Sequence, residues 1–274
     1  MDVLPEEYNP KRGFSGTANA MSLPEDYPID KFRVGFEWSA PWRYKRLWEV
    51  LERQDQHSLQ DSTDLQRDYH SIFAREILLG LPELRTEVPQ GGALLAGWNT
   101  VLERDSAAAA LWNVWYHRHL EPALMRLIDD GIETQMAPSL DTLTALSLLT
   151  TPKGKQQAYA TLPKAWAETQ QLLGNNPKQW RWGDLHRTEF HHPLLNLVSD
   201  DVRRTLTMTE YGRGDSSNTT NNTGFRAKDF LVRSGASFRM VVDVGNWDAA
   251  RMTNAPGQSG DPRSRFYNNL LENS

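Results

Sequence analysis

Two stretches near the end of the chain decide its fold: GASFRMVVD at residues 235–243 and NAPGQSGDP at residues 254–262. The first is typical of a β-strand, because aromatic and β-branched residues are interleaved with polar ones, with Gly235 before them and Gly245 after them. The second packs two glycines and two prolines among small polar residues, which is the chemistry of turns. A strand that leads into an almost uncharged loop predicts that this loop is buried or lines a site.

The middle of the chain, residues 42–177, is predicted to be mainly helical. Asp105 or Ser106 begins a strong helix that opens on a run of alanines, and this helix is expected to stop or kink at Pro122. Further helices fit residues 139–149 and 153–173, the second of which ends at a Gly-Asn-Asn-Pro stop signal.

The two ends have a different character. Residues 1–41 are rich in Pro and Gly and are predicted to be irregular or extended, whereas residues 178–274 are predicted to be β- and loop-rich. We expect residues 1–274 to form a single unit, because no long linker separates these parts. The segment GDSSNTTNNTG at residues 214–224 is so polar that an exposed loop is predicted, and its two glycosylation-type triplets carry little information.

The composition is that of a globular chain, with 39% of its 274 residues hydrophobic and 24% charged. A net charge of −5, without a basic run that interleaves aromatic residues, argues against nucleic acid as a partner. No apolar stretch reaches the length of a membrane span, and no targeting segment is visible. The chain has no Cys, which excludes disulfides, thiolate metal sites and a Cys nucleophile.

Histidines offer a weak metal signal. His117 and His119 would lie on different faces of a helix. His186, His191 and His192 are closer to a ligand cluster, but no acidic residue stands at a familiar spacing from them. We therefore expect core or hydrogen-bonded histidines in both groups.

Several further blocks occur in order along the chain. They are NPKRGF at 9–14 with TAN at 17–19, FEW at 36–38, DSAAAAL at 105–111, WGDLH at 182–186 and FHHP at 190–193. Together with the two C-terminal stretches, these blocks resemble the penicillin acylase family, the amidohydrolases of the N-terminal-nucleophile (Ntn) class. The resemblance covers nearly the whole chain. It implies an α+β fold, in which the chain forms part of an Ntn-type αββα sandwich with a large helical middle section.

In that family the catalytic chain begins with a Ser whose hydroxyl attacks the amide carbonyl and whose own α-amino group serves as the base. This sequence begins with Met1 and contains no Gly-Ser or Gly-Cys dipeptide for processing. We therefore expect the nucleophile and the base to come from an upstream segment or a separate chain. The chain alone is expected to be inactive.

The resemblance implies hydrolysis of linear amides, such as penicillin, acyl-homoserine lactones or related N-acyl compounds, through an acyl-enzyme. It requires no cofactor, allows a structural calcium ion, and implies a periplasmic or secreted location. Two other interpretations stay open. The chain could be a non-catalytic helical binding module, or a truncated gene product derived from the family.

Three residues are assigned roles by this resemblance. Asn19 matches the oxyanion-hole Asn, although Ala20 stands where many members carry a second Asn; a turn residue is the alternative. Arg43 matches an Arg near the nucleophile that gives electrostatic support, the alternative being a helix-surface Arg. Asp30 is a candidate calcium ligand, since this cation prefers carboxylate and carbonyl oxygens, and a solvated Asp is the alternative.

Overall fold

The computed structural model describes residues 4–128, 139–208 and 210–271. Residues 4–41 form neither helix nor strand. The α-helices are α1 (Trp42–Leu51), α2 (Leu59–Gln66), α3 (Ile72–Leu79), α4 (Leu84–Glu87), α5 (Pro89–Ala96), α6 (Ala107–Trp115), α7 (Glu121–Ile128), α8 (Thr142–Leu149), α9 (Pro152–Leu173), α10 (Trp182–Leu185) and α11 (Asp200–Leu206). The strands are β1 (Arg187–Thr188), β2 (Tyr211–Gly212), β3 (Thr223–Phe225), β4 (Val232–Gly235), β5 (Phe238–Val241) and β6 (Arg251–Asn254). Apart from α11, which lies between β1 and β2, the α-helices precede the strands along the chain, which confirms the predicted α+β class.

Side-chain caps begin several of these helices. Ser58 and Asp61 form a reciprocal capping box at the start of α2. The hydroxyl of Ser106 accepts from the backbone N–H of Ala109 at 3.1 Å, so α6 begins where the sequence predicted. At the other end of the middle section, α9 stops at Gly174, whose φ of 90° is one that glycine adopts without strain.

The helix through Pro122 was predicted to stop or kink there. It does not stop at this proline, because the chain continues from α6 through a π-helical turn, Tyr116–Leu120, into α7. Pro122 lies in the first turn of α7, where its missing N–H matters least. The wider turn just before it takes up the distortion that a proline imposes on a regular helix.

The hydrophobic core is centred on α6. Every residue of this helix after Ala107 is buried, and its alanines let neighbouring helices approach closely. It packs against the long helix α9, where the indole Nε1 of Trp115 donates to the Thr161 hydroxyl at 3.0 Å. Phe73 of α3 adds an edge-on contact to the Tyr116 ring, with 4.9 Å between ring centroids.

Each sheet in the described residues is an antiparallel pair: β1 with β2, β3 with β4, and β5 with β6. The strand predicted at 235–243 is therefore shorter than expected and becomes β5, which pairs with β6 in the register Phe238↔Asn254 and Met240↔Met252. Side chains alternate along β5. Val241 is buried, whereas Phe238 and Met240 are 49% and 50% exposed on the other face.

The predicted burial of the loop at 254–262 is wrong. Its residues range from half-buried to exposed, and the backbone N–H of Ala255 donates to the carbonyl of Ser237 at 2.8 Å. The backbone N–H groups of Gln258 and Ser259 both donate to the carbonyl of Phe266, at 2.8 and 3.1 Å. These local turn hydrogen bonds satisfy the loop without a covering layer.

The division into domains is not decided by these contacts and stays a prediction.

Candidate functional site

Folding brings Asn19 and Arg43 into contact. The Nη2 group of Arg43 donates to Oδ1 of Asn19 at 2.9 Å, across 24 residues of sequence. Asn19 is exposed and has a φ of 62°, between the buried side chains of Ala18 and Ala20. Its carbonyl accepts from the backbone N–H of Ser39 at 2.9 Å, which fixes the turn. Asn is among the few residues that tolerate this left-handed backbone.

The contact fixes which way the Asn19 amide is oriented. A guanidinium only donates hydrogen bonds, so the oxygen of the amide must face Arg43. The amide nitrogen, with its two N–H donors, then lies on the side away from Arg43. Such an exposed donor beside a cation can stabilise a negative oxygen on a bound molecule.

Arg43 lies in the first turn of α1 and is half-buried. Burial lowers the pKa of Arg43, and the negative charge of Asp215 raises it. One turn later Arg46 binds the carboxylate of Asp68 at 2.5 Å. The carbonyl of Asp68 in turn accepts from the N–H of Asn221 at 3.4 Å, so this face of α1 adjoins the polar loop at 214–224.

That polar loop is buried, and the prediction of an exposed loop is wrong. Its buried polar side chains are Asp215, Ser216, Thr219, Asn221 and Thr223, which range from 0% to 5% exposed. They are buried because they are hydrogen-bonded, four of them to one another and Asn221 to Arg239. Oδ1 of Asp215 accepts from the N–H of Ser216 at 2.6 Å and from the hydroxyl of Thr219, and Oδ2 lies 2.8 Å from the hydroxyl of Thr223. Buried polar groups are tolerated when they are paired in this way.

The loop also fits tightly against the rest of the molecule. A Cβ atom at Gly214 would stand 2.5 Å from the carbonyl oxygen of Leu102, so only glycine allows this approach. The backbone N–H of Asp215 donates to that same carbonyl at 2.8 Å. The indole of Trp182 donates to the carbonyl of Asp215 at 3.1 Å.

His186 is fully buried beside this loop. Its Nδ1 lies 2.9 Å from the carbonyl oxygen of Phe230, and its Nε2 lies 3.2 Å from the hydroxyl of Thr223. The ring stacks on Trp182 at 4.7 Å between centroids, with the two planes 5° apart. Burial lowers the pKa of His186 to about 4, so the imidazole is neutral at physiological pH. The expectation of a hydrogen-bonded core histidine is confirmed here.

Two arginines near the loop were missed by sequence reasoning. Arg239 on β5 donates to the carbonyls of Gln66 and Asn221, at 2.9 and 2.8 Å. Burial lowers the pKa of Arg239, and the charge of Asp215 raises it. Arg213 is also buried, two residues before Asp215. The only signal for Arg239 was its place on the inward face of a predicted strand, where a cation needs a buried acceptor.

A cavity of about 280 Å³ lies where the sheets meet, next to this loop. Thr188, Arg213, Thr223, Ser234 and Ala255 are among its lining residues. Of the loop predicted to line a site, Ala255 alone is among them.

The calcium prediction at Asp30 stays a prediction. Asp30 is exposed, and no three His, Cys, Asp or Glu side chains converge as a metal site anywhere in residues 4–128, 139–208 and 210–271. His117, His119 and His191 each contact a single carboxylate, as when Nε2 of His119 lies 2.6 Å from Glu168. Among the helices that the structure describes, none is both long and apolar enough to cross a membrane.

Comparison with known proteins gives the same family as the sequence blocks. A family model described as penicillin amidase matches residues 1–274. The chain belongs to the penicillin amidase family. Among its relatives is the acyl-homoserine lactone acylase QuiP of Pseudomonas syringae pv. tomato, with 24% identity over 98% of this chain and 36% of the relative. Another is the penicillin acylase 2 proenzyme of Pseudomonas sp. strain SE83, with 25% identity over 97% of this chain and 36% of the relative.

The fold agrees with that assignment. The thermostable penicillin G acylase from Alcaligenes faecalis superposes with a TM-score of 0.56 and 20% identity, over 99% of this chain and 54% of that chain. The predicted penicillin amidase fold is therefore confirmed, and the relatives' names make this a family of amide hydrolases. The chain spans only 36%, about a third, of the length of each of the two curated relatives named above.

Proposed function

We propose that this chain is part of an amidohydrolase that cleaves linear N-acyl amides, such as acyl-homoserine lactones or penicillin, through an acyl-enzyme. The contact between Arg43 and Asn19 is the observation that carries the proposal. It holds an exposed side-chain amide in one orientation, with its N–H donors available and a cation behind it. Relatives named as acyl-homoserine lactone acylase and penicillin acylase support the substrate class.

In the proposed reaction a nucleophile gives its proton to the base and attacks the amide carbonyl carbon, and the carbonyl π electrons move onto the oxygen. The Nδ2 group of Asn19 donates to that oxyanion. Arg43 keeps its charge at any working pH, so it withdraws electron density from the Asn19 amide and adds a positive potential to the site. When the tetrahedral intermediate collapses, the amine leaves with a proton from the base, and water later releases the acid.

The nucleophile and the base are assigned to a segment outside this sequence, either upstream in the same gene product or in a separate chain. The length of the relatives supports this, since the chain covers 36% of each. The outer face of the β5–β6 hairpin also supports a segment outside this sequence. Phe238, Met240 and Met252 are between 49% and 69% exposed there, and a lone hairpin of this kind gains stability when further strands cover it.

The test is to replace Asn19 with Ala in the protein that includes the accompanying segment. Loss of an oxyanion donor is expected to lower kcat by about two to three orders of magnitude with little change in KM, because the interaction matures in the transition state. Asn9→Ala is the matched control, since Asn9 is also exposed with a positive φ of 45°. It is expected to leave kcat within about twofold, as surface changes usually do.

Folding and processing are checked first, by circular dichroism and by the mass of the new N-terminus. A folded, processed Asn19→Ala protein that keeps its kcat to within about fivefold would remove Asn19 from the oxyanion site. The chain without the accompanying segment is expected to show no turnover. If the protein with that segment is also inert on N-acyl amides, the non-catalytic binding module becomes the better interpretation.

A further inference from the structure

Three buried side chains form a continuous hydrogen-bonded chain that the proposed reaction does not use. The hydroxyl oxygen of Thr223 lies 2.8 Å from Oδ2 of Asp215 and 3.2 Å from Nε2 of His186. All three residues are at most 3% exposed, with Thr223 the bridge between a carboxyl group and an imidazole. The geometry of these three side chains shows how many protons they share.

The count begins at His186. Its Nδ1 faces the carbonyl oxygen of Phe230 at 2.9 Å, and a carbonyl oxygen only accepts hydrogen bonds. Nδ1 therefore carries a hydrogen. In a neutral imidazole the other nitrogen, Nε2, then holds a lone pair and must accept from Thr223.

Thr223 has one hydroxyl proton and faces two acceptors when Asp215 is ionised. Whichever acceptor it serves, the other is left unpaired in a buried place, which costs free energy. One added proton on Oδ2 of Asp215 removes the conflict. Oδ2–H then donates to Thr223, and Thr223 donates to His186. Oδ1 keeps the donors it already has, Ser216 and Thr219.

We propose that Asp215, Thr223 and His186 hold one proton between them, and that folding moves this proton from the imidazole to Oδ2 of Asp215. In the unfolded chain near pH 5 the histidine is the protonated member and the aspartate is ionised. In the folded chain both are neutral. One proton therefore changes its site, and the pair exchanges two charges for none in a place from which water is excluded.

The surroundings favour the neutral pair. Burial is the largest cause for both groups, raising the pKa of Asp215 to about 6 and lowering that of His186 to about 4. The positive charge of Arg213 lowers the pKa of both. The other ionisable side chains that feel the charge of Asp215 are Arg43, Tyr69 and Arg239. Arginine and tyrosine keep their protons between pH 4 and 8, so among the side chains named in this paragraph Asp215 and His186 are the two that titrate in that range.

This arrangement predicts two opposed pH dependences. The raised pKa of Asp215 contributes stability that is present at low pH and is lost as the pH rises from about 4 through about 6. The lowered pKa of His186 acts in the other direction, because its contribution is lost as the pH falls from about 6.5 through about 4. Between pH 4 and 6 the folded and unfolded chains each hold one proton in this pair, so the two dependences nearly cancel.

Single substitutions should expose each dependence. We would measure unfolding equilibrium constants by denaturant titration from pH 4 to 7, on the protein as its gene encodes it, for the parent, Asp215→Asn, His186→Gln and the double variant. Relative to the parent, Asp215→Asn should gain stability as the pH rises and His186→Gln should lose it. The change should be up to about tenfold in the equilibrium constant per pH unit. The double variant should run parallel to the parent.

Asparagine is the informative replacement at position 215 because its Nδ2 group can donate to Thr223, as the protonated carboxyl does. Equal pH slopes for the two single variants, or slopes of the same sign, would overturn the proposal. If a variant does not fold, nitrogen-15 spectra of the parent decide instead. They should show His186 neutral with its hydrogen on Nδ1 at pH 5, and an imidazolium signal at that pH would show that the proton stays on the histidine.

Discussion

Helix α6 in the helical middle and the polar loop at residues 214–224 are both largely buried, but they are stabilised in opposite ways. In α6 every residue after the first is buried, and most are Ala, Leu, Val or Trp. The loop buries a carboxyl, several hydroxyls and an amide side chain. The free energy gained by burying apolar surface is roughly proportional to the area removed from water, so many small contributions add up to stabilise the packing of α6.

The stability of the loop depends instead on a complete set of hydrogen bonds among its buried polar groups. Asp215 is hydrogen-bonded to Ser216, Thr219 and Thr223 at once, so removing one member leaves others unpaired. This difference shows that polarity by itself does not place a segment at the surface. A polar segment can be buried when its groups find partners within itself and on the elements around it.

The largest effect is expected in the apolar region. Leu111→Ala in α6 removes a side chain that is 0% exposed and leaves a cavity, so the free energy of unfolding should fall by about 2–5 kcal/mol. Leu143→Ala in α8 is the control, because Leu143 is 47% exposed, and it should cost about 0.5 kcal/mol. Denaturant titration measures both. Equal losses would mean that α6 is not the centre of the core.

The second effect tests the loop. Thr223→Val keeps the volume of the side chain and removes the bridging hydroxyl, which should lower the free energy of unfolding by about 1–3 kcal/mol. Thr169→Val in α9 is the matched control. Thr169 is equally buried, but its hydroxyl only donates to the carbonyl of Ala165, an acceptor that the helix backbone already uses.

We expect Thr169→Val to change stability by less than about 1 kcal/mol, since no buried partner loses its only hydrogen bond. Thr223→Ser restores the hydroxyl and should recover most of the loss seen with Val. Equal effects of the two valine substitutions would contradict the contrast between the regions.

The smallest effect concerns the one polar contact that begins α6. Ser106→Ala removes the cap on the N–H of Ala109 and should cost about 1 kcal/mol. Ser106→Asp keeps an acceptor at that position and should restore stability. A loss from Ser106→Ala larger than that from Leu111→Ala would show that the helical region depends on polar contacts as the loop does.

Local sequence signals predicted the helices well. The cap at Ser106 and the stop after α9 at Gly174 are both local signals. Each depends on residues within four positions of it, so a short stretch of sequence contains all the information. The expected helix stop at Pro122 was wrong for a related reason. The rule that proline breaks a helix is local, but the preceding π-helical turn is held by packing in the core.

The candidate site was only partly open to prediction. Family resemblance supplied Asn19 and Arg43 as separate residues, and folding joined them across 24 positions. Asp215 was overlooked because its segment has the composition of an exposed loop. A signal was present in the spacing, since threonines stand four and eight residues after Asp215. It becomes informative only once folding places both hydroxyls beside the buried Asp215 carboxyl group.

The sequence by itself determined the family, the α+β class, the start of α6 and the end of α9, because these follow from blocks and caps made of neighbouring residues. Only the tertiary structure decided that the polar loop is buried, that the loop at 254–262 is not, and that His186 meets Thr223 across 37 positions. The physical reason is that burial of a polar group depends on whether distant groups complete its hydrogen bonds. A pattern of neighbouring residues does not contain those partners.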